Sequence, residues 1–284
     1  SDYRGQRFID YDILLKGNND LLSITQPEAI LNIHIAYLKA GADIIMTNTF
    51  SSTPIAMADY KMESLVYDLN FESAQLAKKA VLEYDSEEKP RFIAGSIGPT
   101  NKTASMSPDV NNPGFREVDF DDLVDSYFEQ ISALVDGGVD ILFVETVFDT
   151  LNAKAALFAI EKYNINNSVS VPTMLSGTLT DASGRTLSGQ TLEAFITSVS
   201  HINLLSIGLN CSFGAAGLFP YIKKMSLTTD LPISVHPNAG LPNEFGEYDQ
   251  SSIQMQNLIK DFLENRLVNI IGGCCGTTPD HISL

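Results

Sequence analysis

Short apolar runs and longer amphipathic stretches alternate along most of this chain. The runs lie at 43–47, 92–95, 140–145, 173–176, 204–209, 233–236 and 268–271, and nearly every position in them is apolar or small. A strand covered on both faces reads this way, as the strands of parallel sheets do. Between the runs, apolar residues recur at helical spacing over about 66–83, 121–136, 151–163, 190–202, 215–226 and 251–265, and Pro279 would start a last helix. Ahead of the first run, Thr25, Pro27 and Glu28 make a capping-box pattern. Ile30, Ile33, Ala36, Tyr37 and Ala40 give that first helix an apolar stripe, which Gly41 ends. His34 falls between the stripe positions and reads as structural. Residues 1–26 show no sustained period and read as irregular.

Alternating β and α elements predict a parallel sheet covered by helices. No linker or low-complexity segment interrupts the series, so residues 1–284 are expected to form a single domain. The series holds seven strands and begins with a helix. A (β/α)8 TIM barrel needs eight strands. The expected fold is therefore a (β/α)8 barrel whose first strand lies upstream of Ser1. An open doubly wound sheet is the other arrangement, but no GxGxxG follows an early strand.

In a barrel the loops after the strands share one face, where active sites sit. The strand ends here carry polar or small residues: Asn48-Thr49, Gly98-Pro99-Thr100-Asn101, Glu145-Thr146 with Asp149, Ser176-Gly177-Thr178, Asn210-Cys211, His236-Pro237-Asn238, and Gly273-Cys274-Cys275. Any one of them could be a turn residue. All of them together point to a polar site. Composition narrows its ligands. A net charge of −17 argues against nucleic-acid phosphates or an anionic membrane as partners. No apolar run approaches the roughly 18 residues of a membrane span. Three cysteines are an odd number and too few for a disulfide framework, which suits a reducing cytoplasm.

All three cysteines end apolar runs. A lone buried cysteine is commonly a small hydrophobe, and that reading is open for Cys211 alone. Cys274 and Cys275 are adjacent and flanked by Gly273 and Gly276, which lets consecutive side chains turn toward one centre. Thiolates select zinc, copper(I) or iron–sulfur. An iron–sulfur cluster wants four, so Cys211, Cys274 and Cys275 favour zinc with a fourth position open to substrate. Three thiolates make zinc a poor generator of hydroxide. They suit binding and activating a substrate thiol, whose pKa the metal lowers. The chemistry inferred is alkyl transfer to a thiol. Glu145 then fits the ammonium group of a thiol amino acid, with a helix-capping role as its alternative. Thr146, Asn48 and Asn210 are candidates to hold the substrate or orient the thiolates. His236 has a second reading as a metal ligand, and Asp149 reads as a helix cap.

These residues also carry a resemblance. Asn210-Cys211, followed 63 positions after Cys211 by Cys274 within Gly272-Gly273-Cys274-Cys275-Gly276-Thr277, resembles the zinc signature of homocysteine S-methyltransferases. The chain looks most like the homocysteine-binding module at the N-terminus of cobalamin-dependent methionine synthases. Matching stretches include Lys16-Gly17-Asn18-Asn19-Asp20-Leu21-Leu22, Glu145-Thr146-Val147-Phe148-Asp149-Thr150-Leu151-Asn152, Thr180-Asp181-Ala182-Ser183-Gly184-Arg185-Thr186-Leu187-Ser188-Gly189-Gln190 and His236-Pro237-Asn238-Ala239-Gly240-Leu241-Pro242-Asn243.

The resemblance implies a barrel carrying zinc on Cys211, Cys274 and Cys275, in a fragment of a larger multidomain enzyme. Homocysteine would bind as a zinc thiolate and take a methyl group from methylcobalamin held by another domain, giving methionine. Glu145 matches the family acid that binds the amino group, and Asn238 is a candidate for the fourth zinc position when substrate is absent. Partners would be L-homocysteine and the cobalamin- and folate-binding domains. The family's Asp-Gly-containing loop after its first strand is absent here, in keeping with a strand upstream of Ser1. One alternative is a stand-alone homocysteine S-methyltransferase using a betaine or sulfonium donor. Another, of a different class, is a non-catalytic zinc- or thiol-sensing protein, against which the polar rim around the cysteines argues.

Overall fold

A computed structural model describes residues 3–284. In chain order the elements are α1 (Leu22–Thr25), α2 (Pro27–Lys39), β1 (Ile44–Met46), α3 (Pro54–Met57), α4 (Val66–Val81), β2 (Phe92–Ile97), α5 (Phe120–Asp136), β3 (Ile141–Val147) and α6 (Thr150–Asn167). They continue with β4 (Thr173–Gly177), α7 (Leu192–Val199), β5 (Ser206–Gly214), α8 (Ala215–Met225), β6 (Ile233–Asn238), α9 (Ser252–Glu264), β7 (Ile270–Ile271) and α10 (Pro279–Ser283). Short 3-10 turns at Ala58–Tyr60 and Glu63–Leu65 lead into α4. The strands form one seven-stranded parallel sheet in the order β1 to β7, the sequential order of a (β/α) barrel. Every predicted strand and major helix is present. Among the described residues no helix is long and apolar enough to cross a membrane.

Contacts group the chain into two units: the residues up to Phe143 with Leu151–Pro172, and Val144–Thr150 with Thr173–Leu284. In the first unit, the region expected to be irregular is anchored. Leu15 and Leu21 are fully buried against Met57, Met62, Val66 and Leu69. The expected cap at Thr25 is displaced. Thr25 is the last residue of α1, its hydroxyl donates back to the carbonyl of Leu21 at 3.2 Å, and Gln26 is the N-cap of α2, with no side-chain capping bond. The stripe of α2 is also rotated. Ile30, Leu31, His34 and Leu38 are buried, and Ile33 is half exposed. His34 is structural, and burial pushes its imidazole down to about 4.

In the second unit, β4 to β7 pair in register, with Met174 beside Ser206, Ile207 beside Ile233 and Val235 beside Ile271. Their buried apolar side chains include Met174, Leu175, Ile207, Leu209, Ile233 and Val235. The pairing of β5 with β6 breaks after Asn210 opposite His236 and resumes at Gly214 opposite Asn238. The extra residues of β5 form a bulge, the device by which a strand re-aims a side chain at its end. Cys211 is the first residue of that bulge.

Candidate functional site

The second unit gathers the three cysteines. Cys211 and Ser212 have φ of 62° and 59°, a left-handed backbone that residues with a Cβ seldom take. Such strain is held only where the surroundings over-determine it, and it clusters at functional sites. Here the surroundings are polar. The hydroxyls of Ser212 and Thr178 are bonded at 2.7 Å. Asn210, one residue earlier, accepts from the Thr146 N–H at 3.0 Å and the Ser176 hydroxyl at 2.7 Å. Its amide nitrogen donates to the Thr146 hydroxyl at 2.7 Å. Thr146, on β3, is itself left-handed, with φ of 55°.

Cys274 and Cys275 follow β7 on a loop tied to the end of β6. The Cys274 N–H donates to Pro237 O at 2.8 Å, the Ala239 N–H to Cys275 O at 2.9 Å, and the Cys275 N–H to Asn238 Oδ1 at 3.1 Å. Thr277 closes the turn by donating its hydroxyl to Cys274 O at 2.7 Å. These bonds use the backbone of both cysteines and leave their side chains to face Cys211.

The sulfurs of Cys211 and Cys275 lie 3.7 Å apart, those of Cys274 and Cys275 4.0 Å apart, and all three within 4.8 Å of one another. A tetrahedral zinc with sulfur at about 2.3 Å would hold its ligands about 3.8 Å apart. The trio therefore fits such an ion with little movement. Its electrostatics agree. Hydrogen bonds from Cys211 and then Cys274 push the Cys275 thiol down to about 2, while the same contact with Cys211 drives Cys274 far up. A cation among them would favour the thiolate form of all three.

The other sequence candidates lie as follows. Glu145 is buried at the end of β3, and the Thr146 hydroxyl donates to its Oε2 at 3.4 Å. Asn238 is buried with its carboxamide oxygen on the Cys275 N–H. Desolvation pushes the half-buried His236 imidazole down to about 4; the ring packs under Gly272 and does not share the 4.8 Å donor cluster. Asp149 is buried just before α6. Asn48 belongs to the first unit, where its amide donates to Asn19 O at 2.8 Å and to the Ser23 hydroxyl at 3.1 Å.

Tyr248 was not legible as a site residue. A hairpin 27 positions before Cys275 sets its Cβ hard against Gly276, in the turn of the paired cysteines. Ser176 and Ser212, which brace Asn210 and the bulge, are equally silent in the sequence.

A model of the family "Homocysteine S-methyltransferase" matches residues 3–284. The structure of the homocysteine methyltransferase MmuM from Escherichia coli in its metallated form aligns with a TM-score of 0.73 at 23% identity, covering 92% of this chain and 85% of that one. Its oxidized form aligns with a TM-score of 0.74 at 23% identity over the same shares, and its apo form with 0.69 at 21% identity over 94% and 88%.

Proposed function

The chain belongs to the homocysteine S-methyltransferase family, and from that premise we propose that it binds homocysteine as a thiolate, presents the sulfur to a methyl donor and so yields methionine. The observation that carries this reading is the trio of sulfurs within 4.8 Å, reached from solvent through Cys275. Cys211, Cys274 and Cys275 would hold zinc, which when bound lowers the pKa of a thiol ligand so that the substrate sulfur is ionised at neutral pH. The metallated form of MmuM supports a metal in this fold. A reducing cytoplasm is the compartment that would keep these thiols free.

The remaining work falls to the chain's own groups. Glu145, buried at the end of β3, pairs with the ammonium group of the substrate and fixes which way its sulfur points. The Thr146 hydroxyl orients that carboxylate. Asn210 holds the backbone of Thr146 and the entry to the bulge, so that Cys211 and Glu145 keep a fixed relation. Asn238 holds the Cys275 backbone from the other side, and its carboxamide is the group nearest in kind to a fourth ligand before substrate arrives.

The motif matches favour methylcobalamin, carried by another domain and recharged by a folate domain, as the methyl source. A second reading is a stand-alone enzyme with a sulfonium or betaine donor, supported by the near full-length match to MmuM, of which 85% is covered. The test is methionine formation from homocysteine by zinc-loaded protein. Formation with methylcobalamin supports the first reading. Formation with a methylsulfonium donor and no cobalamin supports the second. Formation with neither, from protein that holds zinc, sinks both and leaves a thiol-binding protein without turnover.

A further inference from the structure

Cys274 and Cys275 sit between Gly273 and Gly276, the residue type whose backbone is freest to turn. A pair of ligands on such a turn stays aimed only if the turn is tied on both sides. The side toward β6 is tied by the bonds to Pro237, Asn238 and Ala239. The other side runs into α10, and its tie is a side chain. His281 reaches back from α10 in the manner of a capping box, and its Nδ1 accepts the Thr278 N–H at 3.2 Å. Its Nε2 donates to Gln250 O at 2.9 Å. A donor facing Nδ1 and a carbonyl facing Nε2 fix the neutral ring with its proton on Nε2.

These two bonds close a ring. The Cys275 carbonyl accepts the Ala239 N–H at 2.9 Å, Ala239 O accepts the Gln250 N–H at 3.3 Å, and Gln250 O accepts from His281. His281 then takes the Thr278 N–H, three residues after Cys275. Every other group in the ring belongs to the backbone. Between Ala239 and Gln250 the chain makes a hairpin, bridged at Pro242 and Tyr248, that brings Tyr248 against the same turn. Gly276 has φ of +78°, and a Cβ there would collide with the Cβ of Tyr248. The imidazole is thus the one side chain on which closure of the ring depends, and it is not a member of the donor cluster.

We propose that His281 is a positioning residue for the metal site: by closing the ring it holds the turn of Cys274 and Cys275 toward Cys211. The inference rests on the reading above in which the trio holds zinc. His281 gives the ion no ligand atom. It limits how far the turn can swing when a sulfur lets go, so its loss should speed release of the ion and leave the ligand set intact. Groups that orient metal ligands change affinity by about tenfold to a hundredfold. One that acts through the backbone belongs at the low end of that range.

Zinc transfer to excess chelator tests it, in wild-type protein, His281→Ala, His281→Asn and Gln256→Ala. Asparagine keeps an acceptor where Nδ1 stood and loses the reach to Gln250 O. It preserves the helix cap, so it carries the test even if the alanine variant does not fold. Gln256→Ala loosens the far end of α10, where Gln256 Nε2 donates to Leu284 O at 2.8 Å, and leaves the ring closed. Release should be about tenfold faster from both His281 variants and unchanged from Gln256→Ala. With cobalt(II) in place of zinc, the absorption of the saturated thiolate site should be the same in all four proteins. Wild-type release from His281→Ala would overturn the inference alone. Wild-type release from His281→Asn would overturn it too, since the cap of α10 would then suffice without the ring. So would equally fast release from Gln256→Ala, which is a frayed helix rather than an opened ring, or an altered cobalt spectrum in His281→Asn, which is a lost ligand rather than a loosened turn. Wild-type protein that takes up no zinc would overturn the zinc reading of the trio, and this inference with it.

Discussion

Asn210 and Thr146 are bonded twice, in opposite directions: the Thr146 N–H donates to Asn210 Oδ1 at 3.0 Å, and Asn210 Nδ2 donates to the Thr146 hydroxyl at 2.7 Å. The pair joins the end of β3 to the last residue before the bulge on β5. Truncating it by Asn210→Ala strands the Thr146 backbone N–H and the buried Ser176 hydroxyl, and leaves the Thr146 hydroxyl only its bond to Glu145. The expected cost is about 2–4 kcal/mol, read as a lower urea midpoint at unchanged slope. Freed from the clamp, Cys211 should also lose its aim, and competition with a chelator should show zinc affinity down by about tenfold or more. Unchanged affinity in a folded variant would mean that the bulge alone positions Cys211.

Glu145→Gln keeps the size and one acceptor of the side chain and removes its charge. If the carboxylate pairs with the substrate ammonium, the lost charge-assisted bond of about 1.5–3 kcal/mol weakens homocysteine binding about tenfold to a hundredfold. Zinc content should stay at the wild-type level, because Glu145 is not one of the clustered sulfur donors. Homocysteine titration by calorimetry, with metal analysis of the same samples, checks both halves. A variant that binds homocysteine normally would remove Glu145 from the site.

Removing the metal should expose the thiols in a set order. In zinc-loaded protein, Cys211, Cys274 and Cys275 should resist iodoacetamide. After chelation all three should label, Cys275 first because it is the exposed one. Peptide mapping over time gives the order. Prompt labelling of all three before chelation, in protein that contains zinc, would mean that the ion sits elsewhere.

Asp20 makes a separate prediction about pH. Its carboxylate is buried in the first unit, where it accepts from the Ser51 N–H at 2.8 Å, and burial pushes it up to about 7. Folding therefore raises its pKa above the unfolded value of about 4. The native state keeps a proton that the unfolded chain releases. The resulting stability is fully present below about pH 4 and is lost as pH rises through about 7, a swing on the order of 4 kcal/mol. Asp20→Asn keeps an acceptor for Ser51 and cannot ionise. Unfolding free energies from pH 4 to 8 should fall less steeply in the variant, and parallel curves would rule the effect out.

Much of the architecture was legible because buried parallel strands write near-continuous apolar runs and each run is followed by a helical period. The cysteines were legible for a simpler reason: three thiols at the ends of two strands, β5 and β7, converge once those strands flank β6 in one sheet. Finer features escaped where a local rule lost to a neighbour. Thr25 could not cap α2 because its hydroxyl was taken by Leu21 O, one turn earlier. The stripe of α2 was misphased by counting Ile33, whose face is open. The bulge at Cys211 breaks a register that only the partner strand defines. Tyr248 is brought against Gly276, beside the paired cysteines, by a hairpin whose path no periodicity records.

The bonds that tie Cys274 and Cys275 to β6 bear on how the site behaves when empty. Peeling that loop away would break the links to Pro237, Asn238 and Ala239 together. The amides of Cys274, Cys275 and Ala239 should therefore exchange with solvent as one cooperative group, slowly, whether or not an ion is bound. A chain that loses its metal would keep the shape of the cradle, and refilling would run at the pace of diffusion instead of the pace of refolding.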